Sequence, residues 1–203
     1  MFFYKEIMSK NIFETAEEII NLYEMFGNAD YIGEPVSQIE HMCQSAELAA
    51  DAKAEEDVIL AAFLHDIGHL CAIAYPQQKL DNRNYYGVIN HEQLGADFLS
   101  SKGFSANIVN MVSNHVNAKR YLTYKFPEYF YQLSDASKET LQIQGGQMTL
   151  TEAMTFEADA FFNNYIMLRR WDEQAKTVYK PLPDLKIYKA MIESHLVKQI
   201  KYK

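Results

Sequence analysis

A histidine–aspartate pair at the end of an apolar run is the feature that most constrains this chain. Val58 through Leu64 carries no polar side chain, and His65 and Asp66 follow at once. A helix that apolar is buried on most sides. Its end then brings an imidazole and a carboxylate into surroundings where an unpaired charge is costly. Other parts of the chain must supply partners there, and a metal ion is the partner that suits both side chains.

Elsewhere the periodicity is helical nearly throughout. Ile19, Ile20, Tyr23 and Phe26 form one stripe over Ile12 to Phe26, broken by Asn28, Asp30 and Gly33. Pro35 is expected in the first turn of the next helix, which runs to about Ala52. The apolar helix from Glu56 to His65 closes at Gly68. Cys71 to Val88, with Pro76, Asn82, Asn84 and Gly87, reads as a long loop of the kind that often forms a lid. Helices are expected from His91 to Lys102, stopping at Gly103, and from a Ser105 cap through about Arg120. Tyr121 to Thr140 suggests short helices, and Gly145 and Gly146 a turn. Thr149 and Glu152 fit a capping box, followed by a long helix through Asp172 to about Val178. Pro181 and Pro183 end it, and Asp184 starts a last helix to about Gln199. With no hairpin signal, repeat or linker, the expectation is one all-α domain over 1–203: a packing helix at 1–28 and a core at 29–197.

A formal net charge of −8 with no local basic patch argues against nucleic acid as a partner. Cys43 and Cys71 are too few for a disulfide framework and read as buried thiols in a reducing compartment. Met1 to Lys10 lacks a signal-peptide pattern, and no run reaches the length of a membrane span. The expected setting is cytoplasmic, with no membrane and no obligate protein partner.

The histidines sharpen the metal reading. His41 lies on a helix upstream of His65-Asp66, His91 opens one helix, His115 closes the next, and Asp172 sits on the late helix. Helices of a bundle can each deliver one or two such ligands inward. His41, His65, Asp66 and Asp172 would complete one site. Asp66 has two oxygens and can bridge to a second metal on His91 and His115, where positions stay open.

This ordered set resembles the HD-domain superfamily, whose pattern is His…His-Asp…Asp, and His91 and His115 resemble its mixed-valent diiron oxygenase branch. Within that branch the chain is similar to the dioxygenases that cleave 2-amino-1-hydroxyethylphosphonate to glycine. The similarity runs from Asp30 to Leu196, through stretches such as Tyr31-Ile32-Gly33-Glu34, Ala118-Lys119-Arg120-Tyr121-Leu122, Ala136-Ser137-Lys138 and Arg169 with Trp171-Asp172-Glu173. It implies a single HD-domain helical bundle, two iron ions in the Fe(II)/Fe(III) state, O2 as co-substrate and a small hydroxylated phosphonate as substrate. The implied metal ligands are His41, His65, Asp66, His91, His115 and Asp172. Tyr31 is implied to cap the substrate iron until displaced, and Glu34 to pair with the substrate ammonium. His69, Lys119, Ser137 and Arg169 are implied to cradle the phosphonate.

The residues alone allow blander readings: Lys119 and Arg120 as a solvated helix end, Arg169 and Arg170 as surface pairs. Tyr75, Tyr85 and Tyr86 keep a quaternary cation open, as in (R)-1-hydroxy-2-trimethylaminoethylphosphonate, which would give glycine betaine. A metal-dependent HD phosphohydrolase and a non-catalytic binding module are the rival classes.

Overall fold

The computed structural model describes residues 2–31, 33–76, 83–84 and 87–201. Along the chain run α1 (Phe2–Phe26), α2 (Gln38–Asp51), α3 (Glu56–Leu64), α4 (Ile67–Ala74), β1 (Arg83–Asn84), β2 (Gly87–Val88), α5 (His91–Ser101) and α6 (Ala106–Lys125). There follow α7 (Pro127–Gln132), α8 (Asp135–Ile143), α9 (Leu150–Glu157), α10 (Phe162–Gln174) and α11 (Lys186–Lys201). The architecture is all-α, as expected.

The apolar helix α3 lies at the centre, against α2, α6, α10 and α11. Leu60, Phe63 and Leu64 are fully buried. Phe63 stacks between Tyr23 of α1 and Tyr188 of α11, with centroid separations of 4.2 and 4.0 Å. The Tyr23 hydroxyl donates to the Phe63 carbonyl at 2.5 Å. The first and last helices therefore close over the same core, through Ala16, Ile19 and Tyr23 on one side and Ile192 and Leu196 on the other.

Several local expectations need correction, each for an identifiable reason. Pro35 precedes α2 instead of opening it. Ser37 takes the cap, accepting from the Glu40 amide while Glu40 accepts from the Ser37 amide at 2.7 Å. Gly68 does not end a helix but lies in α4, and the chain bends by 45° between α3 and α4 at His65 and Asp66. Cys71 is accordingly helical. Within the expected loop, Arg83–Asn84 pairs antiparallel with Gly87–Val88, a ladder too short to leave an alternating pattern. Residues 77–82, 85 and 86, on which the lid was expected, lie outside the described residues. His115 sits inside α6, which continues to Lys125. The long helix after Thr149 is two helices. The Asp159 side chain accepts from the Phe161 amide at 2.8 Å and competes with the helical bond there. The Ser105 cap and the Thr149–Glu152 capping box are present.

No single helix among the described residues is long and apolar enough to cross a membrane.

Candidate metal centre and adjoining cavity

The bend between α3 and α4 turns His65 and Asp66 inward, where α2 supplies His41, α5 His91, α6 His115 and α10 Asp172. All six are buried, with at most 7% of any residue exposed. They divide into two clusters, His41, His65 and Asp172 in one and Asp66, His91 and His115 in the other.

Asp66 faces both. Its Oδ2 lies 3.4 Å from His65 Nε2 and 3.6 Å from His41 Nε2. Its Oδ1 lies 3.1 Å from His91 Nε2 and 3.3 Å from His115 Nε2. Asp172 Oδ1 stands 3.3 Å from His41 Nε2. This is the disposition of a carboxylate shared between two cation sites.

The backbone sets the histidine tautomers. In each ring Nδ1 faces a carbonyl: His41 that of Ala175 at 3.1 Å, His65 that of Ala62 at 2.8 Å, His91 that of Val88 at 3.2 Å, and His115 that of Val112 at 2.7 Å. Donation from Nδ1 leaves the Nε2 lone pair pointing inward, as in metal-bound histidines. Two such Nε2 atoms meet at 3.1 Å (His41 and His65) and two at 3.0 Å (His91 and His115). Facing lone pairs repel unless a cation lies between them. Ligand atoms about 2.1 Å from a common ion and at right angles stand about 3.0 Å apart, so the spacing fits a metal in each cluster. Burial opposes the charge on Asp66 and Asp172. The imidazoles around Asp66, and Arg169 followed by His41 beside Asp172, nonetheless hold both carboxyls well below the usual range.

The two clusters differ in access. A cavity of about 80 Å³ is lined by His91, His115, Asp66 and Asp172 but not by His41 or His65. Tyr31 stacks on His41 at 4.1 Å and also lines the cavity. It follows an extended bridge between Asp30 and Ser37 and precedes Gly33. Gly33 has φ +81°, and a Cβ there would stand 2.6 Å from the Ala136 side chain, so both conformation and space call for glycine.

The remaining expected residues converge on the same cavity. His69, Lys119, Ser137, Arg169 and Glu34 all line it. Lys119 is buried on α6 and donates to Thr140 Oγ1 at 2.9 Å, which displaces the reading of a solvated helix end. Arg120 takes a structural role, with Glu152 at 2.7 Å and the Gly146 carbonyl. Arg169 is buried, donating to Asp172 Oδ2 at 2.5 Å, Glu173 Oε1 at 2.9 Å and the Tyr129 hydroxyl at 3.1 Å. His69 stacks on His91 at 4.0 Å, and burial, reinforced by His91, pushes it down to about 3, so it is neutral near pH 7. Tyr75 does not reach the cavity; it donates to Glu18 of α1 at 3.0 Å. Tyr85 and Tyr86 lie outside the described residues.

Sequence reasoning gave no role to Gln38, whose buried side-chain oxygen has no partner at the cavity wall. It also missed Thr140, which holds Lys119, and Lys176. Lys176 donates to Glu34 Oε1 at 2.6 Å across 142 residues, a contact with no local signal.

Burial, with Arg169 next, lowers the Lys119 ammonium to about 7. Below that pH it is charged, and it loses its charge as pH rises through it. A bound dianion favours the charged form, so anion binding at pH 8 is expected to take up close to one proton. Lys119→Arg, charged throughout, is expected to take up none at this position. Calorimetry in buffers of different ionisation enthalpy measures the difference; equal uptake by the two proteins would dismiss Lys119 as the anion contact.

A helical bundle that brings four histidines and two aspartates to paired clusters beside a cavity lined by Lys119 and Arg169 defines a metal-binding class of domain. Residues 39–164 match the HD domain family model, and the chain belongs to the HD-domain family. The matched segment contains five of the six residues and ends before Asp172. The chain is 44% identical over 187 residues to an uncharacterized protein of Acanthamoeba polyphaga mimivirus, covering 92% of this chain and 84% of the relative. It is 36% identical over 177 residues to a [1-hydroxy-2-(trimethylamino)ethyl]phosphonate dioxygenase (glycine-betaine-forming) of Leisingera caerulea, covering 87% and 88%. It is also 36% identical over 191 residues to a hydroxymethylphosphonate dioxygenase of Gimesia maris, covering 93% and 92%.

Proposed function

We propose that this chain is an iron-dependent oxidoreductase that uses O2 to cleave the carbon–phosphorus bond of a small 1-hydroxyphosphonate. The observation that carries the reading is the asymmetric site: two clusters share Asp66, and the His91–His115 side opens into a cavity walled by Lys119 and Arg169. The names of two relatives, each matched over more than 85% of both chains, point the same way.

In this reading His41, His65, Asp66 and Asp172 hold one iron, and Asp66, His91 and His115 hold the other. The metals supply a redox centre and a template for the substrate oxygens. Lys119 and Arg169 bind the phosphonate through charge-assisted hydrogen bonds. Neutral His69 and the Ser137 hydroxyl complete the cradle, and Tyr31, stacked over His41, covers the site until substrate arrives. Closure of the segment carrying Tyr31 would exclude water. The hydroxyl-bearing carbon loses its hydrogen and its bond to phosphorus and becomes a carboxylate carbon. The two oxygen atoms gained complete the carboxylate and the phosphate, one proton is released, and O2 takes the four electrons. A 2-amino-1-hydroxyethyl substrate would give glycine and phosphate.

Zinc has no redox chemistry but supports hydrolysis. Iron-loaded protein is expected to release phosphate from hydroxyphosphonates, and zinc-loaded protein to release none. Turnover of a phosphate ester without O2, with no phosphate released from hydroxyphosphonates by the iron-loaded protein, would establish the rival phosphohydrolase.

A further inference from the structure

We propose that Lys176 is a specificity-determining residue: by neutralising Glu34 from behind, it adapts the cavity to a 1-hydroxyphosphonate whose carbon bears no cationic group. This inference rests on the function proposed above and narrows its substrate.

Glu34 is the carboxylate that an ammonium-bearing substrate would seek. Its side chain is only 7% exposed, and it lines the cavity at the Tyr31 end. Both of its described bonds fall on Oε1, from Lys176 Nζ at 2.6 Å and from the Ser134 hydroxyl at 2.5 Å. Ser134 is fixed in turn, because it caps α8 by accepting from the Ser137 amide at 3.2 Å.

Lys176 is not a loose surface lysine. The residues on either side of it are fastened to α2. The Ala175 carbonyl accepts from His41 Nδ1 at 3.1 Å. Thr177 exchanges two hydrogen bonds with the Gln44 amide, each 2.9 Å. The backbone carrying Lys176 is thus held by the same helix that supplies His41. Breaking an ion pair so placed loses a charge-assisted bond at a largely buried carboxylate.

A substrate ammonium would meet a carboxylate whose charge is already balanced, with a second cation beside it. At Oε2 it would pair with that balanced carboxylate against the repulsion of Lys176, and so recover only part of the interaction. A neutral acceptor also lies in the cavity wall: Gln38, 6% exposed, has a side-chain oxygen without a partner. Among the described lining residues Tyr31 is the one aromatic side chain besides the histidine rings.

The test is anaerobic calorimetry of the full-length iron-loaded protein, which reads binding without turnover. The ligands are hydroxymethylphosphonate and 2-amino-1-hydroxyethylphosphonate. Wild type is expected to bind the first about tenfold or more tightly. Lys176→Met exposes the Glu34 charge and should move the ratio of affinities toward the amine by about tenfold. Lys176→Arg, which keeps the cation, should retain the wild-type preference and covers the case in which the methionine variant fails to fold. A wild type that favours the amine, or a ratio unmoved in folded Lys176→Met, would overturn the role of Lys176 while leaving phosphonate oxygenation intact. Absence of binding by both phosphonates, with no phosphate released in air, would overturn the function itself and this inference with it.

Discussion

Asp66→Ala is expected to empty the His91–His115 position and to weaken the His41–His65–Asp172 position at the same time. Its two carboxylate oxygens divide between the clusters, Oδ2 toward His41 and His65 and Oδ1 toward His91 and His115. Without it each site keeps two imidazoles, and one of them also keeps Asp172. Two imidazoles alone hold a divalent ion poorly, whereas His41, His65 and Asp172 remain a three-ligand set, weakened by loss of the bridging anion. Metal analysis after dialysis should fall from about two ions per chain to about one or less. His41→Ala, which touches one cluster, should lose mainly one ion. Retention of both equivalents by Asp66→Ala would mean that the clusters bind independently and that Asp66 is not shared.

The second large effect is structural. Gly68→Ala would place a Cβ 1.9 Å from the His91 carbonyl oxygen, 2.8 Å from its carbon and 2.9 Å from the Gly95 nitrogen. All three are backbone atoms of α5, so no side chain can swing aside, and α4 and α5 must separate. Overpacking of this kind costs up to about 3 kcal/mol or more. For a domain of this size that is a fall of about 6–12 °C in melting temperature. The displacement falls at His91, so metal at the Asp66–His91–His115 cluster should weaken as well. Thermal unfolding with and without added iron separates the two consequences. A variant as stable as wild type would show that the α4–α5 contact is far more yielding than these distances allow.

The parts of the fold legible in the sequence are those with a local signal. The apolar run of α3 announces its own burial, and the Ser105 cap and Thr149–Glu152 box mark helix starts through contacts three residues apart. The break at Asp159 leaves no such mark, because a single side chain accepting from an amide two residues on interrupts an otherwise helical pattern. Gly68 suggests a helix end because glycine after an apolar helix usually supplies one, whereas here it admits the backbone of α5. The six candidate ligands are legible as residue types in order, and their convergence needs the fold. The sharing of Asp66, the closed side at His41 and the open side at His91 are three-dimensional facts. So is the hold of Lys176 on Glu34, between residues 142 positions apart.

The most direct measurement of the central claim is the ratio of O2 consumed to phosphate released by the iron-loaded protein, with hydroxymethylphosphonate as substrate in an oxygen-electrode cell. A ratio of about one, with release ceasing when O2 is exhausted, is the expected result. Phosphate release that continues undiminished under nitrogen would contradict it.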